Sequence, residues 1–450
     1  MSRLDRVLAT SPADLTEIAW IEVRRCREDT RTRRDGRPDG ASGMARCERT
    51  VLVRVWERGR AGCHRTGVAT VSELEAAVRE ALAQARLAPP PRFARPPRPA
   101  ADALLAGIAI PPGALFDPEV AELDPPAARE LARGWTERGE SARLAWSDGQ
   151  VTVAASDGRR RSARVTAASL EVACGAGPAG GRAAAAARSL DALDGAEVAA
   201  RARRRVAGES LGEVPAGPLP LLLAPEAAAA LLALLNRIAF SSTAFRDGSS
   251  PLCGHLGALW LDPAITLRDD GTDPRGLAFP FDLAGAFKAP VDLVRDGFAI
   301  TPAVDEALAA ELGRHATPHA LSPEDSLPAN LFLLPGGKSE EELAAAIGDG
   351  LWIGALGDLE VYAGREARGT RFRARAGGVR RIAGGAVTTE ALPDLLWEDG
   401  LPEALARVRG LGDRPVVVLA GEPLLGGISA PALALDPSAP LRPAELIPRS

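Results

Sequence analysis

The 450-residue sequence has little cysteine, and this limits the architectures open to it. Its five cysteines are odd in number and show no C-x-x-C spacing. They are scattered along the chain, at Cys26, Cys47, Cys63, Cys174 and Cys253. This pattern argues against a disulfide framework and against a zinc ribbon. We therefore expect free, buried thiols.

Uninterrupted apolar runs are also missing. The most apolar stretch, residues 219–235, contains Pro220, Pro225 and Glu226. A membrane-spanning helix needs about 20 apolar residues and poorly tolerates a carboxylate near its middle. The first 19 residues carry several charges and no apolar core, so they do not resemble a signal peptide. We expect a cytoplasmic protein that does not contact a membrane.

An excess of positive charge is absent as well. The chain has 54 Lys and Arg against 59 Asp and Glu, which gives a net charge of −5. Such a chain has no general attraction to nucleic acid, and we do not expect nucleic acid as a partner. At about 100–200 residues per domain, the length suggests two or three domains.

Strand and helix patterns of an α+β protein fill this length. Residues 18–23 and 51–56 are rich in β-branched and aromatic residues and predict strands. Ser72 and Glu75, three apart before an apolar run, predict a capping box that starts a helix. Prolines between positions 89 and 99 predict a stiff linker. These features define a first α/β unit.

The rest of the chain divides into a second α/β unit and a β-rich part. Helices are predicted at 126–138 and 196–206, a hairpin within 144–155 that turns at Asp148-Gly149, and a strand pair within 161–174. Short strands further on are punctuated by Asp-Gly and Gly-Gly pairs, at Asp296-Gly297, Asp349-Gly350, Gly377-Gly378 and Gly384-Gly385. We expect an N-terminal α/β domain with its linker at 1–99, a second α/β domain at 100–216 and a large, mostly antiparallel β domain at 217–450.

The most informative segment is a strand–helix junction at 221–232. Three leucines are followed by Ala224, Pro225 and Glu226 and then by an alanine- and leucine-rich run. Proline suits the first helical position, because its missing N–H has no partner there. Glu226 in the first turn complements the positive end of the helix dipole.

Several segments, in their order and spacing, resemble the TldD/PmbA family. They are the predicted helices at 72–87 and 196–206, the stretch at 219–235, residues 261–270 and 293–297, and residues 351–353 with 364–369. In this family a zinc peptidase subunit, TldD, pairs with a metal-free sister, TldE or PmbA. The resemblance implies the family's three-part fold with a β-rich C-terminal domain.

The resemblance also implies a lost catalytic motif. The family's peptidase carries H-E-x-x-x-H on this helix, where two histidines hold zinc and the glutamate polarises water. The matching positions here are Pro225, Glu226 and Ala230, so only the glutamate remains. The family's third ligand is a late cysteine, and this chain has none beyond Cys253; the matching place is 421–427. We expect no catalytic residue, no metal and no cofactor in this chain.

Two other groups of residues are candidates for a site. His315 and His319 are four apart with acids nearby, but Pro318 disrupts a helix, so the two rings need not share a face. Arg371, Arg373 and Arg375 alternate along a predicted strand and should share one face. They predict either a solvated sheet face, which we favour, or a contact with a peptide or a partner subunit.

By resemblance, the chain is similar to the non-catalytic TldE-like subunit of a zinc-dependent peptidase complex that acts on short or unfolded peptides. A TldD-like partner would supply the zinc and form a heterodimer or higher assembly with it. Two alternatives stay open: a stand-alone peptide-binding or maturation factor, and a regulator associated with DNA gyrase.

Overall fold

The computed structural model describes most of the chain. The described residues are 2–32, 38–67, 70–88, 110–175, 177–208, 211–321, 325–363, 370–419, 424–436 and 441–444. The fold is α+β with mostly antiparallel sheets, which confirms the predicted fold class.

The first half of the chain forms one six-stranded antiparallel sheet, in the order β3-β2-β1-β4-β5-β6. Its strands are β1 (Leu15–Thr32), β2 (Pro38–Glu57), β3 (Arg60–Thr66), β4 (Glu140–Ala155), β5 (Arg160–Cys174) and β6 (Gly181–Ala187). Because β1 pairs with both β2 and β4, the predicted boundary at 99/100 falls between strands of a single sheet. The domain limits themselves stay a prediction.

Six described helices pack on this sheet. They are α1 (Arg3–Thr10), α2 (Val71–Leu87), α3 (Pro118–Glu122), α4 (Pro125–Trp135), α5 (Leu190–Leu193) and α6 (Gly195–Arg204). The helices predicted at 126–138 and 196–206 correspond to α4 and α6. The predicted capping box is wrong by two residues, since Thr70 and Glu73 form it. Two overlapping patterns of Ser or Thr with Glu exist here, and the earlier one starts the helix.

The predicted hairpin at Asp148-Gly149 is wrong, because both residues lie inside the continuous strand β4. Gly149 is there for packing: a Cβ at this position would lie 2.5 Å from the Leu424 Cδ1 atom and 2.8 Å from the Glu22 carbonyl oxygen. A glycine in a strand often marks such a close approach. The strand pair predicted within 161–174 is likewise a single strand, β5.

The second half contains two sheets. One has the order β10-β9-β8-β11-β18-β17, and the other has the order β16-β19-β7-β12-β13-β15-β20 with β14 beside β13. Its strands are β7 (Leu221–Leu223), β8 (Leu267–Asp269), β9 (Val291–Arg295), β10 (Phe298–Ala299), β11 (Leu331–Leu333), β12 (Gly350–Ala363), β13 (Thr370–Ala383), β14 (Ala386–Ala391), β15 (Leu395–Gly400), β16 (Val408–Leu411), β17 (Val416–Val418), β18 (Ile428–Ala430), β19 (Leu433–Leu435) and β20 (Arg442–Pro443).

The helices of this half are mostly short. They are α7 (Pro225–Ala239), α8 (Ser242–Arg246), α9 (Glu306–Leu312), α10 (Glu340–Ile347) and α11 (Leu401–Leu405). The longest, α7, is buried on nearly every side within the largest hydrophobic core. A helix that is apolar all round belongs in such a core. Among the described residues, none of the helices has the length and apolar character needed to cross a membrane.

Glycine-rich turns were predicted with mixed success. Asp296-Gly297 does turn between β9 and β10, with both residues at positive φ, and Gly384-Gly385 turns between β13 and β14. The Gly377-Gly378 pair instead lies inside β13. The segment 364–369, used above for the resemblance, lies outside the described residues.

The two halves are joined by a buried arginine. The Arg188 guanidinium donates hydrogen bonds to the carbonyl oxygens of Leu277, Ala278 and Leu424 in the second half. It also donates to the Thr166 carbonyl in the first half. Backbone oxygens from both halves thereby satisfy one side chain, which fixes the first sheet against the C-terminal part.

Candidate functional site

The strand–helix junction forms as predicted. Strand β7 ends at Leu223, Ala224 is the N-cap, and Pro225 occupies the first position of α7. Pro225 and Ala230 have hydrocarbon side chains, so neither offers a lone pair to a metal. Glu226 is the only side chain of the motif positions that carries chemistry.

Glu226 is held by two arginines. Its Oε1 lies 3.2 Å from Arg201 Nη2, and its Oε2 lies 2.9 Å from Arg205 Nη2. The backbone N–H of Ala184, in β6, donates a 3.1 Å hydrogen bond to Oε1. Burial alone would raise the pKa of Glu226, but the neighbouring Arg205 and Arg201 charges bring that pKa below its usual value. The carboxylate is therefore ionised and paired with both arginines.

Both arginines are themselves fixed to the first sheet. Arg201 lies on α6 and donates to the Ala184 carbonyl at 2.7 Å, and Arg205 follows α6 and donates to the Arg182 carbonyl at 2.8 Å. Because its oxygens face these donors, Glu226 is poorly placed to accept a proton from water as a general base. It serves instead as an ionic contact between the two halves.

The residues at this place do not fit a zinc ion. A catalytic zinc site needs three protein ligands with nitrogen, sulfur or oxygen donors. Among the described residues, no three His, Cys, Asp or Glu side chains come together around a common point. Of the stretch predicted to match the third ligand, 421–423 lie outside the described residues. Leu424 and Leu425 are buried and apolar.

The two candidate histidines lie in different environments. His315 is exposed, whereas His319 is fully buried. His319 Nε2 lies 3.0 Å from Asp269 Oδ2, and its Nδ1 lies 2.7 Å from the Thr317 hydroxyl. This hydrogen bonding fits a neutral ring that donates to Asp269 and accepts from Thr317. His315 and His319 are not brought together.

Asp269 is the centre of that buried network. Its Oδ1 accepts hydrogen bonds from the backbone N–H groups of Ala329 and Asn330, at 2.7 and 2.8 Å. The Lys288 ammonium lies 3.6 Å from Oδ2. Burial opposes ionisation, but the Lys288 charge and these hydrogen bonds hold the pKa of Asp269 well below its usual range. Burial also lowers the pKa of His319, against the attraction of Asp269.

The arginine row on β13 has the geometry expected of it. Arg371, Arg373 and Arg375 alternate with buried residues, so their side chains share one face. Arg373 Nη2 pairs with Glu398 Oε1 at 2.7 Å, and Arg375 Nε pairs with Asp358 Oδ2 at 3.0 Å. These partially exposed pairs fit a solvated sheet face. A role in binding a peptide or a partner subunit stays a prediction.

A small polar cavity lies between the two halves, near α9. Its volume is about 210 Å³, and Arg54 from β2 forms part of its wall. Arg54 pairs with Glu17 at 2.6 Å and with Glu306 at 3.4 Å. The wall carries both signs of charge, with Arg246 and Asp305 also paired, at 3.1 Å. Most of the charged groups that line the cavity are thus paired with one another.

Comparison with known protein families assigns the second half of the chain to a family. Residues 216–437 match the family model described as the PmbA/TldA metallopeptidase C-terminal domain. By its C-terminal domain, the chain belongs to the PmbA/TldD family. The predicted family resemblance is thereby confirmed. No curated protein sequence matches the chain.

Solved structures share the fold over nearly the whole chain. A Thermotoga maritima protein described as a putative modulator of a DNA gyrase matches with a TM-score of 0.77 and 18% identity, over 98% of this chain and 99% of that one. TldE from Thermococcus kodakarensis matches with a TM-score of 0.74 and 18% identity, over 98% and 100%. A Bacteroides thetaiotaomicron protein described as a putative modulator of DNA gyrase gives 0.68 and 15%, over 96% and 95%. At such identities the likeness shows the fold.

Sequence reasoning missed the partners of Glu226 in this PmbA/TldD-family chain. Arg201 and Arg205 are four apart at the end of a predicted helix, and this spacing places them on one face. That signal was visible in the sequence. Nothing local, however, connects them to a glutamate more than twenty positions later.

Proposed function

We propose that this chain is a non-catalytic, TldE-like subunit of a zinc-dependent peptidase complex, whose zinc and catalytic residues belong to a TldD-like partner. The observation that carries the proposal is the state of the motif positions. Pro225 and Ala230 cannot bind metal, and Glu226 is neutralised by Arg201 and Arg205. Membership of the PmbA/TldD family and the fold shared with a TldE protein support it.

The substrates of the complex would be short or unfolded peptides in the cytoplasm. This chain would help to close the chamber around the partner's site and to hold an extended peptide. Backbone hydrogen bonds at a sheet edge read the main chain of a peptide and little of its sequence. The arginine row of Arg371, Arg373 and Arg375 is the candidate contact for an acidic peptide segment or for the partner.

The experiment is co-expression with a family member that carries H-E-x-x-x-H and a late cysteine. The two chains should co-purify at equal stoichiometry. Peptide cleavage should require both chains and should be abolished by a metal chelator. A neighbouring gene of that type would supply the natural partner.

A self-contained homodimer that ignores the partner and binds peptides would instead support a stand-alone binding or maturation factor. The partner with its zinc motif disrupted is the matched control, since it should still bind this chain and yet cleave nothing.

A regulator associated with DNA gyrase is a second proposal, because two structures of the same fold are described as putative gyrase modulators. Retention on DNA that weakens steeply with salt would support it. The net charge of −5 favours the peptidase complex over this alternative.

A further inference from the structure

A third arginine, Arg380 on β13, lies beside the cluster formed by Glu226, Arg201 and Arg205. Its guanidinium carbon is 4.3 Å from the centre of the Trp352 ring, and that of Arg205 is 5.5 Å from the same ring. Trp352 is buried, and its indole N–H donates to Glu340 Oε1 at 2.6 Å. Two guanidinium groups are thus gathered around one fixed aromatic ring.

Among the described residues Arg380 has no anionic partner, unlike the buried Arg54 and Arg205, which pair with Glu17 and Glu226. Only 9% of the residue is exposed, and its buried Nε has no hydrogen-bond partner. Glu340 acts on it through space, without an ion pair among the described residues. The ring face attracts the cation but does not accept its N–H bonds as an oxygen would. Buried N–H groups without a partner are uncommon, and in Arg380 the bare Nε coincides with the lack of an anionic partner.

The local charges do not balance. Arg201, Arg205 and Arg380 supply three positive charges, while Glu226 and Glu340 supply two negative ones. Burial, followed by repulsion from Arg205, lowers the pKa of Arg380 to about 10. The side chain therefore stays charged at neutral pH. Among the described residues, the cluster is therefore left with one unbalanced positive charge.

We infer that Arg380 binds the carboxylate group of a ligand, with Trp352 as the platform that orients its guanidinium and Arg205 as the source of additional positive field. A guanidinium presents planar paired donors that match a carboxylate. A monoanion balances this unpaired positive charge, whereas a phosphate dianion would exceed it. This site goes beyond the proposed subunit role and does not depend on it.

The carboxylate has two possible sources, a small free acid or the C-terminus of a peptide. Thermal unfolding of the full chain in sodium acetate, compared with sodium chloride at equal ionic strength, tests for the carboxylate itself. Trialanine, compared with trialanine amide, tests for a peptide C-terminus. Inorganic phosphate tests the charge argument.

In the wild-type chain, acetate should raise the unfolding midpoint saturably above the chloride value. R380Q should weaken the apparent acetate affinity by about tenfold or more, the effect expected for losing one charge-assisted pair. R381Q is the matched control, because Arg381 is the exposed neighbour on the same strand, and it should keep the wild-type shift. R380K, which keeps the charge but loses the paired donors, should be intermediate and serves if R380Q does not fold.

Stabilisation by trialanine but not by its amide would assign the carboxylate to a peptide C-terminus. Stabilisation by acetate but not by trialanine would assign the carboxylate to a small acid. The proposal is overturned if acetate and trialanine give no shift in the wild-type chain or if R380Q keeps the full shift. It is equally overturned if trialanine amide stabilises the chain as much as trialanine does, or if phosphate stabilises it more than acetate does.

Discussion

Two buried carboxylates in the second half, Glu226 and Asp269, are stabilised in different ways. The partners of Glu226 come from the first half: Arg201 and Arg205 at α6, and the Ala184 N–H in β6. The partners of Asp269 among the described residues come from its own half. They are Lys288, His319 and the N–H groups of Ala329 and Asn330.

This difference separates two structural roles for ionised groups that look alike in the sequence. Asp269 stabilises the interior of one half, whereas Glu226 connects the two halves. Each carboxylate is surrounded by donors, and this leaves it poorly placed to act as a general base. An acid at the position of a catalytic motif is therefore not evidence of catalysis until its partners are known.

The largest effect should come from D269N. The amide would leave the Lys288 ammonium unpaired in a fully buried place and would face the His319 N–H with a donor. Removing one member of a buried pair costs about 3–5 kcal/mol in the free energy of unfolding. Urea unfolding measures this cost. D358N, at a carboxylate that is 72% exposed, is the control and should leave the midpoint near that of the wild type. A loss no greater than that of D358N would contradict the buried ion pair.

E226Q should lower the free energy of unfolding by somewhat less, about 2–4 kcal/mol. The Glu226 side chain is 12% exposed, and its two arginines would keep their carbonyl partners. Hydrogen exchange sharpens the contrast with Asp269. E226Q should lower the protection of β6 and α6, while D269N should lower that of β8 and β11. The reverse pattern would contradict the division of roles.

In a double-mutant cycle, the effects of E226Q and R205Q on the free energy of unfolding should be strongly non-additive.

The pH dependence should also differ between the two clusters. His319 has a lowered pKa in the folded protein, so below its ordinary value of 6.5 the unfolded chain binds more protons. Stability contributed by the neutral ring is then lost as pH falls below 6.5, by at most about 1.4 kcal/mol per pH unit for one proton. The lowered pKa of Glu226 affects stability only at lower pH, where stability is lost below 4.5, the ordinary pKa of a glutamate.

Unfolding measured from pH 7 to pH 4 tests this order. H319Q should flatten the profile between pH 6.5 and 5, and E226Q should flatten it only below 4.5. An unchanged slope between pH 6.5 and 5 in H319Q would show that the buried ring does not control that range.

The smallest effect on stability should come from the exposed arginine row. R373Q should leave the unfolding midpoint close to that of the wild type, because its pair with Glu398 is partly exposed and surface pairs contribute little. If the row binds a peptide or a partner, the triple variant R371Q/R373Q/R375Q should reduce co-purification with the partner without unfolding the chain. Full retention of the partner by the triple variant would leave the row as a solvated face.

Local signals in the sequence predicted the elements that they determine directly. Pro225 and Glu226 marked the start of α7, and alternation on β13 placed three arginines on one face. Where a local signal had a second explanation, the prediction was wrong. Gly149 follows an aspartate as in a hairpin turn, yet it is glycine because Leu424, far along the chain, packs against it.

The contacts that define the candidate site could not be predicted in this way. Asp269 and His319 are fifty positions apart, and Glu226 meets Arg205 across two sheets. Such pairs depend on tertiary packing, which no short window of sequence contains. The missing ligands of the motif were predictable, since Pro225 and Ala230 lack donor atoms in any fold. The fate of the remaining glutamate was not.

The most direct test of the proposed non-catalytic role is the zinc content of the purified chain. The chain should be equilibrated with zinc, dialysed and measured by elemental analysis alongside its protein concentration. We predict zinc well below one ion per chain, and no difference between the wild type and E226Q. One tightly held zinc per chain that is lost in E226Q would contradict the conclusion that this glutamate is occupied by Arg201 and Arg205.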